Sequence, residues 1–323
     1  MNRFAAIAAG LVLGVTAAAA AAQTSQDVEV SGPSGRLGGS YIAPSQDGPV
    51  VVIIPGSGPT DRNGNSPLGV AGGAYQRLAE ALAARGIGSI RIDKRGMFAS
   101  AAAAVDPNAV RMTDYAEDVR AWTAEARRLT GAPCAWVLGH SEGGLVGTLA
   151  VQTDPNACGL VLVSAPGRPL QTLLREQLTA NPANAPIMSQ VDAIIAALEA
   201  GQTPDLTGVH PGVAALFNPV LNTYFTSLFS HDPAEELGRY GGPVLVVQGE
   251  TDIQVTAADA ERLAAARGLE PVMIPGMNHV LRDAPADRAA NAATYRLTDA
   301  PLSDGLADVI VDFIKGSRAA SVP

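Results

Sequence analysis

Lysine is almost missing from this chain. Among 323 residues only Lys94 and Lys315 carry it, and charged residues of all kinds make up 16%. Acidic side chains outnumber basic ones 31 to 22, for a formal charge of -9, so no basic stripe is on offer for a phosphate backbone to follow. Aromatics are scarce too, at 4%, too few for a base-stacking platform unless gathered in one place. These shortages exclude nucleic acid as an expected partner. The four histidines are scattered and the two cysteines lack ligand spacing, so no metal site is predicted. The glycine-rich loop at Gly56 lacks the Lys-Ser/Thr ending of a phosphate-binding loop, and no cofactor is expected. What the chain has in quantity is apolar residues, 47%, enough for one large domain carrying an insertion and too many for overall disorder.

The first segment reads as an address. Arg3 is followed by an uncharged stretch from Phe4 to Ala22 that ends in an alanine run before Gln23, the pattern of a secretory signal with cleavage near Ala22. The stretch is also long enough for a retained anchor, but the small residues at its end favour removal. The expectation is a periplasmic or secreted protein without stable membrane anchoring. In such a compartment Cys134 and Cys158, each opening an apolar run, either bridge neighbouring parallel strands or stay as buried thiols.

Past the signal, Val28–Val30 and Leu37–Ile42 read as the two strands of a hairpin. Continuous apolar runs then appear at 50–54, 87–92, 135–138, 160–163, 244–247 and 272–274, as expected of strands buried on both faces of a parallel sheet. Helical stretches at 74–84, 113–129, 144–151, 257–266 and 303–314 alternate with them, which predicts an α/β fold. From 166 to 241 no buried-strand run occurs; proline-punctuated helical segments predict a helical cap inserted into a core of 23–165 and 242–323. Met188, Val191, Ile194, Ile195 and Leu198 form one apolar stripe of this insertion, and Leu221, Tyr224, Phe225 and Leu228 a second. Packing of cap on core is the plainer reading of these stripes; a wall over a substrate pocket is the functional one.

The motif richest in chemistry is Gly139-His140-Ser141-Glu142-Gly143-Gly144, directly after a strand run and directly before a helical one, a nucleophile elbow that exposes Ser141. A serine hydroxyl needs a base. His140 belongs to the elbow and should point away from its neighbour's side chain, while His210 and His231 lie in the insertion beside or near prolines. His279 sits on a loop after the last strand run, at the same sheet end as Ser141. Asp252, just past the run 244–249, is the expected acceptor for its imidazole. Glu250 falls too early in that turn and Asp259 lies inside the next helix. The polar stretch Ser57, Thr60, Asp61, Arg62, Asn63 and Asn65 reads as a hydrogen-bonded loop with some residues available to substrate. Asp93-Lys94-Arg95-Gly96 reads as a salt-bridged turn.

The order Ser141, Asp252, His279 at separate strand ends, with Pro55-Gly56-Ser57-Gly58, the Asp93–Gly96 turn and Asn278-His279, resembles the α/β-hydrolase superfamily, in its serine aminopeptidase-like or monoglyceride-lipase-like branch. The resemblance implies an eight-stranded, mostly parallel sheet with helices on both faces. It implies hydrolysis of an ester, thioester or amide of a small acyl substrate through an acyl-enzyme. It also implies an oxyanion hole from the backbone N–H groups of Ser57 and Glu142, with Gly56 as substitute for the first, because Pro55 replaces the commoner histidine of the loop. Acyl transfer to another acceptor, aminopeptidase action with Glu176 or Glu235 holding a free amine, and a binding protein without catalysis are the competing expectations.

Overall fold

The computed structural model describes residues 24–320, so the expected signal segment 1–22 lies outside the described residues. Eight strands form one sheet: β1 (Gln26–Ser31), β2 (Arg36–Ile42), β3 (Val50–Ile54), β4 (Gly88–Ile92), β5 (Ala135–His140), β6 (Ala157–Val163), β7 (Val244–Gly249) and β8 (Val272–Ile274). Their spatial order is β1-β2-β4-β3-β5-β6-β7-β8. β1 and β2 form the predicted hairpin and β2 runs antiparallel to β4; every other pairing is parallel. The continuous apolar runs have the cause foreseen for them, burial on both faces. Alternate residues serve opposite layers: Val52, Ile54, Val137 and Leu162 join one core, and Val51, Ile53, Leu138 and Val163 join the other.

Helices between the strands cover both faces. α1 (Ala74–Ala83) leads into β4, α2 (Met112–Thr130) into β5, and α3 (Glu142–Val151) into β6. α2 begins where Asp114 accepts the Arg111 N–H and stops at Gly131 with φ 71°, so both ends follow from the local sequence. From β6 to β7 the chain is helical: α4 (Leu170–Thr179), α5 (Met188–Glu199), α6 (Pro211–Leu216), α7 (Asn222–Phe229) and α8 (Pro233–Gly238), with two 3-10 turns and no strand. Val191, Ile194, Ile195 and Leu198 of α5 pack with Phe217, Phe225, Leu228 and Phe229 in the same core as α2 and α3. α9 (Ala257–Ala265), α10 (Arg288–Thr294) and α11 (Leu306–Ala320) complete the order.

Two elements escape the sequence pattern. α10 is a short alanine-rich helix whose one buried residue is Asn291, so it has no apolar stripe to read. The run at Ala99–Ala104, low in complexity as sequence, contributes to a 3-10 helix over Phe98–Ala103. It lies so close to the hairpin that a Cβ on Gly35 would stand 2.4 Å from the Ala102 carbonyl oxygen. Cys134 and Cys158 are bridged, with Cα atoms 5.1 Å apart. The β5–β6 register slips there, Ala135 facing Ala157 and Trp136 facing Gly159, so Cys158 is the extra residue of a bulge. No helix among the described residues is long and apolar enough to cross a membrane.

Candidate active site

Ser141 stands between the end of β5 and the first residue of α3, at φ 53° and ψ −127°, a conformation that costs a non-glycine residue about 1–3 kcal/mol. The flanking glycines make so sharp a turn feasible. A Cβ on Gly139 would meet the Gly143 carbonyl oxygen at 2.1 Å, and one on Gly143 would meet the Ile54 carbonyl oxygen at 2.6 Å. The strain lifts the serine hydroxyl off the sheet while its N–H stays bonded to the Val163 carbonyl at 3.1 Å.

His279 Nε2 lies 3.1 Å from Ser141 Oγ, and its Nδ1 lies 2.8 Å from Asp252 Oδ2. The three side chains singled out from sequence therefore meet in one line of hydrogen bonds across three strand ends. Asp252 is fully buried, and burial alone would raise its carboxyl. The adjoining His279, with the Val255 and Gln254 N–H groups on Oδ1 at 2.9 and 2.8 Å, outweighs that cost and holds the carboxyl below its usual value. The loop bearing His279 is fixed by Asn278, whose Oδ1 accepts the Val280 and Arg282 N–H groups and whose amide donates to Asn291 and Thr294. α10, though unreadable in sequence, supplies both of those acceptors. The rejected candidates have other work: Glu250 is exposed, and Asp259 caps α9 and binds Arg168. His210 caps α6, and His231 pairs with Glu236.

His140 reaches beneath the site to two other elements. Its Nε2 is 2.8 Å from the His279 carbonyl oxygen, and its Nδ1 is 2.8 Å from the Tyr75 hydroxyl. A carbonyl only accepts, so Nε2 carries the proton and Nδ1 accepts from Tyr75. The Tyr75 oxygen in turn accepts the Gly56 N–H at 3.1 Å. Burial first, and then the neighbouring His279, push His140 down to about 3, which keeps this bridge neutral. With its N–H taken by Tyr75, Gly56 does not offer the substitute oxyanion donor. The Ser57 and Glu142 N–H groups have no acceptor among the described residues.

The polar loop is internally bonded. Asp61 accepts from the Asn63 and Asn65 N–H groups, Arg62 reaches Asp93, and Thr60 donates to the Ser57 carbonyl. The salt-bridged turn goes further than bracing itself: Arg95 binds Asp118, and Lys94 binds Glu142. The contacts made by Tyr75, His140 and Lys94 were not legible, because side-chain direction depends on neighbours distant in sequence. A cavity of about 290 Å³ opens beside Ser141 and His279. Its walls come from the loop at Gly56–Val70 and from the segments holding Gln254, Val280 and Tyr295; no residue between 166 and 241 lines it. Among the described residues no group of three His, Cys, Asp or Glu side chains is placed to hold a metal.

Strand order, the serine turn after β5 and the acid and histidine after later strands are those of the α/β-hydrolase fold, and the chain has that fold. Residues 68–196 match the family described as Serine aminopeptidase, S33, a stretch that includes the elbow and ends before Asp252 and His279. Esterase EstD of Thermotoga maritima is 27% identical over 263 residues, covering 79% of this chain; the chain spans 60% of that relative's length. Among solved structures, Est1E from Butyrivibrio proteoclasticus superposes with a TM-score of 0.56 at 17% identity, covering 91% of this chain and 99% of that one. A thermophilic esterase from Thermogutta terrifontis gives 0.55 at 18% identity, covering 90% and 99%.

Proposed function

We propose that the protein is an exported serine hydrolase that cleaves a small, uncharged carboxylic ester through an acyl-enzyme. The observation that carries this reading is the unbroken line from Ser141 Oγ through His279 to buried Asp252. His279 takes the hydroxyl proton as Ser141 attacks the acyl carbonyl, and passes it to the leaving alcohol; water then repeats the sequence to free the acid. Asp252 holds the imidazole tautomer and stabilises its charged form, while the N–H groups of Ser57 and Glu142 receive the oxyanion.

The cavity supports ester over aminoacyl amide. Its lining has hydroxyls from Thr60, Ser66 and Tyr295 and apolar faces from Leu68, Val70 and Leu281, but no carboxylate to hold an ammonium. Neither Glu176, which pairs with Arg168, nor exposed Glu235 reaches it. The name of Esterase EstD favours the same choice. Export is supported by the amino-terminal pattern and by the Cys134–Cys158 bridge, a linkage that persists in oxidising compartments. A mature terminus near Gln23 on protein from outside the cytoplasm is the expected result; protein confined to the cytoplasm with Met1 intact would overturn export.

The test of mechanism is a fluorophosphonate probe together with p-nitrophenyl esters. Wild type is expected to be labelled and to turn over, and Ser141→Ala to lose labelling and about a million-fold in kcat. Full labelling or turnover by Ser141→Ala sinks the reading.

A further inference from the structure

Lys94 is one of two lysines in the chain, and its side chain is only 2% exposed. An ammonium without water needs compensation from charge and hydrogen bonds. Lys94 Nζ has both: Glu142 Oε1 at 3.0 Å and the Gly56 carbonyl oxygen at 2.7 Å, with the Tyr115 ring centroid 5.3 Å away. Glu142 is equally buried, and its second oxygen accepts from the Tyr224 hydroxyl of α7. One ion pair thus joins the end of β4, the loop after β3, the residue following the serine, and the helical segment between β6 and β7.

The bond to Gly56 has a directional consequence. In a trans peptide the C=O and N–H point in opposite directions, and none of the described peptide bonds is cis. Drawing the Gly56 carbonyl inward to Lys94 turns the Ser57 N–H outward, toward the cavity that Ser57 and Ser141 both line. The Gly56 N–H on the other side of the residue is fixed by Tyr75, so the loop is held at both ends of the turn. A charge-assisted bond to the carbonyl also polarises the peptide and strengthens its N–H as a donor.

We propose that Lys94 is a positioning residue of the oxyanion site: its ammonium, seated by Glu142, clamps the Gly56 carbonyl and so aims the Ser57 N–H at the acyl oxygen. The proposal rests on the serine-hydrolase reading, since it needs an oxyanion to stabilise. It differs from a bracing role in acting only when negative charge develops.

The variants are Lys94→Met, Glu142→Gln and the two combined. Lys94→Met alone leaves Glu142 buried without its counter-ion, and Glu142→Gln alone leaves the Lys94 ammonium without its own, so both single variants are exposed to misfolding and the comparison that decides is the double variant against wild type, both neutral at the pair. Melting temperature, p-nitrophenyl ester kinetics and the affinity of an alkyl boronic acid, which forms a tetrahedral adduct, are read on each. Relative to wild type, the double variant is expected to remain folded, to keep KM within threefold, and to lose about 10- to 100-fold in kcat with a parallel loss of boronate affinity. A kcat of the double variant within threefold of wild type, or a loss borne by KM with kcat kept, overturns the positioning role while an active, labelled wild type leaves the hydrolase reading standing. A wild type inert to both ester and probe overturns the two together.

Discussion

His140 and His279 have ring centroids 4.9 Å apart and opposite tasks, set by what each nitrogen touches. His279 faces a hydroxyl and a carboxylate, the partners of a group that takes and returns a proton. His140 is buried with its two nitrogens on a carbonyl and a phenol, where an imidazolium would lack water and a counter-charge in contact with it. Its value of about 3 in the folded protein lies below the ordinary 6.5 of the unfolded chain. Between those two values the unfolded chain binds a proton that the native state does not, so this contribution to stability is complete above about 6.5 and is lost as pH falls toward 3. The loss amounts to a few kcal/mol, on the order of what a buried histidine of this kind carries. The Asp252 carboxyl, held below its usual value of 3.8, loses its own contribution only at lower pH. His140→Gln keeps an acceptor and a donor without the titration. Wild type is expected to lose more melting temperature between pH 7 and pH 5 than this variant does, and equal slopes in the two would refute the assignment.

At the scale of elements, the loop after β3 and the stretch after β8 build the cavity, and the helices between β6 and β7 build core. Phe225 lies between Phe217 and Phe229, with ring centroids 5.5 Å from each, and is buried. Tyr295 follows α10, faces the cavity, and accepts from Gln254 Nε2 at 3.1 Å. Truncating either removes an aromatic ring, but the consequences differ in kind. Phe225→Ala is expected to cost about 3–5 kcal/mol, read in denaturant unfolding, with the preference among acyl chain lengths unchanged. Tyr295→Ala is expected to shift that preference toward longer chains at little cost in stability. A shifted chain-length profile in Phe225→Ala with none in Tyr295→Ala would move the specificity pocket to the inserted helices. The stripes at 188–198 and 221–228 were legible as apolar faces because helical periodicity records burial. What they face was not, because a stripe against a sheet and a stripe over a substrate have the same spacing. Tyr224 illustrates the limit: it shares a stripe with Phe225, yet its hydroxyl reaches Glu142, a contact spanning 82 positions.

For the molecule as a whole, the sheet was readable since burial on both faces leaves unbroken apolar runs, and the three side chains of the proposed triad could be singled out since each follows such a run. The supporting groups were hidden for the complementary reason: Lys94–Glu142 and His140–Tyr75 join residues 48 and 65 positions apart, and neither pairing leaves a local pattern. The disulfide falls between these cases. Two strand-opening cysteines suggested a bridge, but the register slip that places Cys158 as a bulge appears only when the strands pair. That bridge sits before β5, whereas Ser141 follows it. Six extended residues lie between, so the cystine and the serine are roughly 20 Å apart. Its effect should be on stability alone. Closing a loop over a separation of 24 residues is worth about 3 kcal/mol in the chain-entropy account. Replacing both cysteines with alanine is therefore expected to lower the melting temperature by several degrees and leave kcat and KM within twofold of wild type. Reductant should lower the melting temperature of wild type by a similar amount and have no effect on the variant. A large loss of turnover in folded variant at low temperature would instead tie the far end of β5 to the serine turn, and the separation of scaffold from chemistry would fail.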